Sequence, residues 1–339
     1  MIRKAGAEMK KYIGGIDIGG TKCAVILGDS NAIKSGEHPE NMILDRICFS
    51  SEAEKGPDFM LEHIYRSLAL LLKRNGISTE EVEAVGVSCG GPLDHRKGII
   101  MNPPNLYGWD DIPIVTEIEN TFGIKTFLQN DANAGALAEW KFGAARGCRN
   151  VVFLTYGTGM GAGLILNGRL YNGTNDMAGE AGHIRLTQIG PVGYGKAGSF
   201  EGMCSGEGIA QSARLKIREQ IQQGKKPRLC PELSEIDRVT AKDIADAAGE
   251  GDELSLEIFN ISGHYLGMAL AILIDILNPE IIVCGSVFVK SGKYLLPEAL
   301  RVIHSEALPA AEAKCRIVPA ALGTKIGDYA ALAVTLQET

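Results

Sequence analysis

Apolar residues in this chain come in short β-branched runs broken by glycine. In Gly14–Leu27, GGIDIGGTKCAVIL, one apolar run reaches Ile18, stops at Gly19-Gly20 and resumes at Cys23. A β-branched run after the glycine pair predicts a second strand, so the pattern is strand, turn, strand. VVFLTYGTGMGAGLILNGRLY, from Val151 to Tyr171, repeats it: a strand from Val151, a glycine-rich turn over Gly157–Gly163 and a strand from Leu164. PEIIVCGSVFV, Pro279–Val289, reads as a buried strand ending at Gly285, with an amphipathic helix beyond Lys290. TFL before Asn130 reads as a strand and ANAGALAEW as a helix start, which gives Asp131 the N-cap position. GDYAALAVTL near the end is a further helix, and the polar stretch 207–250 reads as helices on a solvated outer face.

A glycine turn after a strand leaves backbone N–H groups aimed at anions. The familiar phosphate loops continue into a helix, whereas this one continues into a strand. The dinucleotide fingerprint is therefore disfavoured, and the Walker loop is excluded because Lys22 is followed by Cys23. The same device in each half predicts two related α/β domains facing each other across a cleft, with two phosphate-directed hairpins bracketing one polyphosphate. The expected division is a small domain over 1–128, a large one over 129–322, and a C-terminal helix, about 323–339, returning to the small domain. The strand-Gly285-helix unit fits an adenosine.

Composition narrows the function classes. With 339 residues, 45% hydrophobic and 22% charged, the chain fits a two-domain globular protein. A net charge of -7 gives no footprint for nucleic acid, and the basic run GKKPR at 224–228 reads as a solvated loop. Eight cysteines without a CxxC pair suit reduced thiols and a cytoplasmic setting. The N-terminal MIRKAGAEMKK lacks an apolar signal core, and the apolar helix YLGMALAILIDIL is short and interrupted by Asp275, so neither export nor a membrane span is expected. The glycosylation sequons at Asn172 and Asn260 are then chance matches.

DIGGTK (17–22), GGPLD (90–94), NPPNLYGW (102–109), NDANAGALAE (130–139), GTGMGAG (157–163) and GEAGH (179–183) together resemble the ROK family of sugar kinases. They keep the family's order, and the resemblance runs from Gly15 to about Leu332. It implies the actin/hexokinase-like (ribonuclease H-like) two-domain α/β fold, transfer from ATP with Mg²⁺ to a hexose hydroxyl, most simply the 6-hydroxyl, and a homodimer or homotetramer. Asp131 is the implied general base, since a sugar hydroxyl is a poor nucleophile until a carboxylate accepts its proton. Asp17 would act through Mg²⁺, held through waters. Gly19, Gly20, Thr21 and Lys22, then Gly157, Thr158, Gly159 and Gly161, would meet phosphates through backbone N–H groups and side chains, and Gly285 the adenosine. Lys22 also fits a solvated position. Gly91, Asn105, Asn130, Asp131, Glu180, His183 and Glu201 would hold the sugar, amides and carboxylates being suited to a polyol. Asn105 also suits shaping its Pro-rich loop, and Trp109 suits packing as well as sugar stacking.

One departure is informative. After GxxGH the family carries CxCGxxGC, whose thiolates and the His make a closed zinc site. Here the stretch is VGYGKAGSFEG, with Val192, Tyr194 and Ser199 where the cysteines would fall. No structural zinc is expected, and Tyr194 and Phe200 are the candidates for holding the loop by packing. The sugar stays open among glucose, mannose, fructose, allose and N-acylated amino sugars, and polyphosphate is an alternative donor. A ROK transcription factor is disfavoured because about a dozen residues precede the first strand. A non-catalytic sugar-sensing protein is disfavoured by Asp131 and both glycine turns.

Overall fold

The computed structural model describes residues 11–36 and 38–337, so the N-terminal stretch up to Lys10 lies outside the described residues. The chain divides into two units: one takes the chain up to Gly147, Arg169–Ala178 and the stretch from Thr324 onward, the other Cys148–Gly168 and Gly179–Gly323. The division falls later than residue 128 for a local reason. The strand containing residue 128 pairs as far as Asn130, and the helix after it packs on the C-terminal helix Ile326–Ala333.

In the first unit β1 (Tyr12–Ile18), β2 (Lys22–Asp29), β3 (Ile43–Ser50), β4 (Val82–Cys89) and β5 (Thr126–Asn130) form a sheet in the order β3-β2-β1-β4-β5. β1 and β2 are the antiparallel hairpin expected of GGIDIGGTKCAVIL, while β4 and β5 run parallel to β1. Side chains alternate across a strand, and the two faces differ. Ile16, Ile18, Val25, Leu27, Val85 and Val87 pack with Met60, Ile64, Leu68 and Leu71 of α1 (Pro57–Asn75). The other face takes the C-terminal helix and needs small residues. A Cβ on Gly86 would stand 2.1 Å from the Ala331 carbonyl oxygen, a distance only glycine tolerates. α2 (Asp131–Lys141) follows β5 directly.

The second unit repeats the arrangement. β6 (Val151–Leu154) is antiparallel to β7 (Ala162–Leu166) and parallel to a later strand. β7 begins at Ala162, inside the glycine run rather than at Leu164. A hairpin of β8 (Val192–Gly193) and β9 (Lys196–Ala197) precedes α3 (Phe200–Cys204) and α4 (Gly206–Gln222). The stretch from 207 is helical, and α4 turns its apolar arc inward, burying Ile209, Ala213 and Ile217 in the unit's core. Its polar residues fill only the remaining arc.

The expected short apolar helix is also corrected: α5 (Glu253–Leu277) has 25 residues and is long and apolar enough to cross a membrane. It buries Ile258, Phe259, Leu266, Leu270 and Ile274 in the unit's core. β10 (Ile281–Cys284) leads into α6 (Ser286–Glu306), which starts at Ser286 and not beyond Lys290. Gly263 and Gly267 let α6 close on α5, since Cβ atoms there would lie 2.7 Å from the Leu295 carbonyl oxygen and 2.6 Å from that of Ala299. β11 (Arg316–Pro319) pairs parallel with β10.

Candidate active site

In the first unit the expected residues gather at the carboxyl ends of β1, β4 and β5, where open α/β sheets commonly bind ligands. Asp17 is a carboxyl between the buried Ile16 and Ile18 of β1. Alternation explains it: those isoleucines face α1, while Asp17 faces the C-terminal helix, in register with Ser88. Burial first, then the negative charges of Asp328 and Asp131, push its carboxyl up to about 7, against Arg46 and a hydrogen bond from Ser88. Asp328 is itself buried and accepts from Arg46 Nε at 2.8 Å. A Cβ on Gly327 would stand 2.3 Å from Asp17 Oδ2, so the C-terminal helix begins against this carboxyl.

The turn between β1 and β2 is closed by the Gly19 N–H donating to the Lys22 carbonyl at 3.1 Å. Thr21 and Lys22 are exposed beside it. A Cβ on Gly20 would lie 2.8 Å from the Asn105 carbonyl oxygen, so the 102–109 loop rests on the turn. Asn105 and Gly91 are exposed. Trp109 is wholly buried in the core and offers no face to a sugar.

Asp131 is not the helix cap. Asn130 takes that role, its Oδ1 accepting the Asn133 N–H at 2.7 Å, and Asp131 is the first helical residue. The surface of Asp131 is open, yet enough protein surrounds it that desolvation raises its pKa, opposed by the N–H groups of Ala132 and of Asp131 itself. Gln129 and Asn133, two positions either side of it, are fully buried polar residues that the sequence reading passed over. The signal was present in QNDAN, a polar run closing an apolar strand.

In the second unit the glycine turn is ordered from within. Gly157 N–H donates to Gly159 O, Gly161 N–H to Thr155 Oγ1 and Met160 N–H to Glu201 Oε2 at 2.8 Å. The N–H groups of Gly157 and Gly161, both expected to meet phosphate, here close the turn. A Cβ on Gly157 would meet no atom within 4 Å, which leaves space against the backbone there. GEAGH lies directly on this turn. Cβ atoms on Gly179 and Gly182 would stand 1.9 Å from the Ala162 oxygen and 2.1 Å from the Met160 oxygen. Glu180, His183 and Glu201 are thus carried to one turn. Gly285 is buried with its N–H on the Leu154 oxygen, and it lets α6 start against β6.

The 190–201 loop is held differently than expected. Phe200 is buried in the core, but Tyr194 is 75% exposed and only meets the His183 ring edge-on. Hydrogen bonds replace the packing expected of Tyr194. Gln211 brackets Val192, accepting from its N–H at 2.9 Å and donating to its carbonyl at 3.0 Å, and Lys196 Nζ donates to the His183 carbonyl at 2.8 Å. Burial pushes the Cys204 thiol up, and its Sγ lies on the Ser262 carbonyl.

The ROK family model matches residues 13–338, and the chain belongs to the ROK family. Glucokinase of Halalkalibacterium halodurans is 31% identical over 317 residues, covering 92% of this chain and 91% of that protein. The DNA-binding transcriptional dual regulator NagC of Escherichia coli is 30% identical over 276 residues, 80% of this chain and 65% of that protein. Among solved structures, a ROK family glucokinase from Streptomyces griseus in complex with glucose and AMPPNP is 27% identical with a TM-score of 0.73, covering 95% and 98% of the two chains. The fold is the actin/hexokinase-like two-domain α/β fold.

Proposed function

We propose that the chain is an ATP-dependent hexose kinase, transferring the γ-phosphoryl group to a hexose hydroxyl, the 6-hydroxyl of glucose or a related hexose, with Asp131 as general base. The observation that carries this reading is the Asp131 carboxyl at the end of β5, raised in pKa and relieved of the capping role by Asn130. A base with a raised pKa accepts a proton more readily near neutral pH. In the step itself the hydroxyl oxygen attacks the γ-phosphorus, the bond from phosphorus to the ADP oxygen breaks, and the hydroxyl proton passes to Asp131.

The remaining residues bind and orient. Asn105 and Asn130, with Gly91 just past the carboxyl end of β4, and Glu180, His183 and Glu201 suit sugar hydroxyls. Asn130 uses its oxygen as the cap and keeps its NH₂ for donation, while Glu201 keeps one oxygen beyond its bond to Met160. Thr158 and Gly159 would donate to phosphate oxygens, with Gly19, Gly20, Thr21 and Lys22 as the matching turn, and holding that charge in line is most of what such an enzyme contributes. The crowding of carboxyl groups around Asp17 fits a divalent cation, which would be held by Asp17 through water, and Mg²⁺ there would supply charge neutralisation. None of the eight cysteines forms a disulfide, which suits a reducing cytoplasm.

The likeness to NagC favours a second reading, a sugar-sensing protein without turnover. A coupled ADP-release assay over glucose, mannose, fructose, allose and N-acylated amino sugars separates the two. Sugar-dependent ADP release supports the kinase and names the sugar. Sugar binding without it supports the sensor.

A further inference from the structure

The residue set aside above as a chance glycosylation sequon, Asn172, sits inside the unit that carries the base. Its Oδ1 accepts from Gln129 Nε2 at 2.9 Å and from Asn133 Nδ2 at 2.9 Å. These are the two buried amides that bracket Asp131 in sequence. The sense of every bond is fixed by the chain. Gln129 Oε1 accepts the Asn130 N–H at 3.0 Å and Asn133 Nδ2 at 3.1 Å, so its NH₂ must point outward, to Asn172 and, at 3.2 Å, to Gln337 Oε1. Asn133 uses both N–H bonds as donors and leaves its oxygen buried without a partner.

Such a network is a costly way to fill space. A buried acceptor left unmet is destabilising, and apolar residues of the same size would avoid it. What the network provides is geometry: it fixes the backbone at Asn130 and the side chain of Asn133, hence the first turn of α2, from which Asp131 projects. We propose that Asn172 is a positioning residue for Asp131, its Oδ1 acting as the common acceptor that clamps both flanking amides. The clamp comes from a short excursion of the chain, Arg169–Ala178, within which the Ala178 N–H donates to the Asn172 carbonyl at 3.2 Å. A second tie fixes the same loop, because buried Asp176 accepts from the His95 N–H at 2.8 Å and meets its ring Nδ1 at 2.5 Å. The loop therefore holds its place through two side chains, of which Asn172 alone touches the flanks of the base.

The inference rests on the kinase reading, and the test keeps the two apart. Steady-state kinetics of sugar-dependent ADP release are measured for the wild type, Asn172→Ala, Asn172→Ser and Asn172→Asp, with sugar binding by calorimetry. Misplacing a reacting group by about 1 Å can cost on the order of 10²-fold, so Asn172→Ala is expected to lower kcat by about 10- to 100-fold while KM for ATP and the sugar Kd stay within about threefold. The hydroxyl oxygen of serine is one atom short of both donors, so Asn172→Ser is expected to lose kcat likewise and carries the test if the alanine variant fails to fold. Asn172→Asp keeps an acceptor oxygen for both donors and is expected to recover kcat to within about threefold. A wild-type kcat in the alanine or serine variant overturns the inference, as does an aspartate variant no better than alanine. A wild type that releases no ADP with any sugar overturns the kinase reading and takes this inference with it.

Discussion

The Asn130 side chain accepts the Asn133 backbone N–H at 2.7 Å, and that bond leaves Asp131 without a capping duty. Capping and proton abstraction would make opposing demands on one carboxyl, since a hydrogen bond to the charged form lowers its pKa. With the cap on its neighbour, desolvation wins and the Asp131 pKa rises. Asp131→Asn should therefore remove turnover by about 10²- to 10⁴-fold, the usual range for a general base, while sugar and ATP binding persist. In the wild type, kcat/KM should fall as pH drops through the raised pKa, because the protonated carboxyl accepts nothing. Near-normal turnover in the folded variant would remove Asp131 from the mechanism.

Asn130 has two separable tasks, and one substitution divides them. Aspartate caps a helix about as well as asparagine, so Asn130→Asp should keep the melting temperature within about a degree or two. It loses the NH₂ donor proposed for a sugar hydroxyl and adds a negative charge beside Asp131, so sugar KM should rise about tenfold or more, a lost hydrogen bond with its desolvation being worth ~1–3 kcal/mol. Unchanged KM with unchanged stability would assign Asn130 to the cap alone.

These separations show where the sequence was legible. The glycine hairpin at 14–27 and its repeat at 151–171 were readable because short β-branched apolar runs broken by glycine, and resumed after it, read as strand, turn, strand. The face that the acid at 17 takes was not readable, since strand alternation decides it only once β1 lies between β2 and β4. Asp328 and Arg46 lie 282 positions apart, and nothing local in either stretch announces their pairing. The cap was misassigned because both Asn130 and Asp131 are good capping residues, and one step of register decides between them. The 25-residue length of α5 was missed because Ser262, Gly263 and His264 interrupt its apolar pattern just before Tyr265.

Asp17 should make the ligand-free protein less stable as pH rises. Its ordinary carboxyl value of 3.8 is pushed up to about 7 on folding. The folded state therefore binds the proton more tightly than the unfolded chain, and stability falls as pH climbs between those values. Asp17→Asn removes the ionisation, so at pH 8 without Mg²⁺ or ATP the variant should melt a few degrees above wild type, ~1 kcal/mol being worth roughly 2–4 °C in a domain of 150–250 residues. The gap should close toward pH 4, where the wild-type carboxyl is protonated. Equal melting temperatures at pH 8 would contradict the crowding of charge described for this carboxyl.

Glu201 ties α3 to the glycine turn through Met160, so its loss should be felt by the nucleotide as well as by the sugar. Glu201→Ala removes the acceptor that holds the turn, and KM for ATP should rise about tenfold together with KM for sugar. Glu201→Gln keeps an acceptor oxygen for the Met160 N–H. It should restore the ATP value while leaving sugar binding weakened, because the carboxylate charge is gone. An alanine variant whose ATP KM is normal would show that the turn holds itself.

The loop over 190–201 should be indifferent to metal. Where zinc-bearing members of the family would place thiolates, this chain has an exposed Val192 bracketed by Gln211, an exposed Tyr194, and a buried Ser199 whose hydroxyl accepts the Gly202 N–H at 3.1 Å as the cap of α3. No group of three or more His, Cys, Asp or Glu side chains able to hold a metal occurs among the described residues. A lone imidazole such as His183 binds zinc too weakly to add folding energy, in contrast to a four-ligand site. Chelator should therefore leave the melting temperature unchanged, and activity should return in full when Mg²⁺ alone is restored. Ser199→Ala should instead cost about 0.5–2 kcal/mol through the lost cap, visible as a lower urea midpoint at unchanged slope. One equivalent of tightly held zinc by elemental analysis, or a melting temperature lowered by chelator and restored by zinc, would overturn this account of the loop.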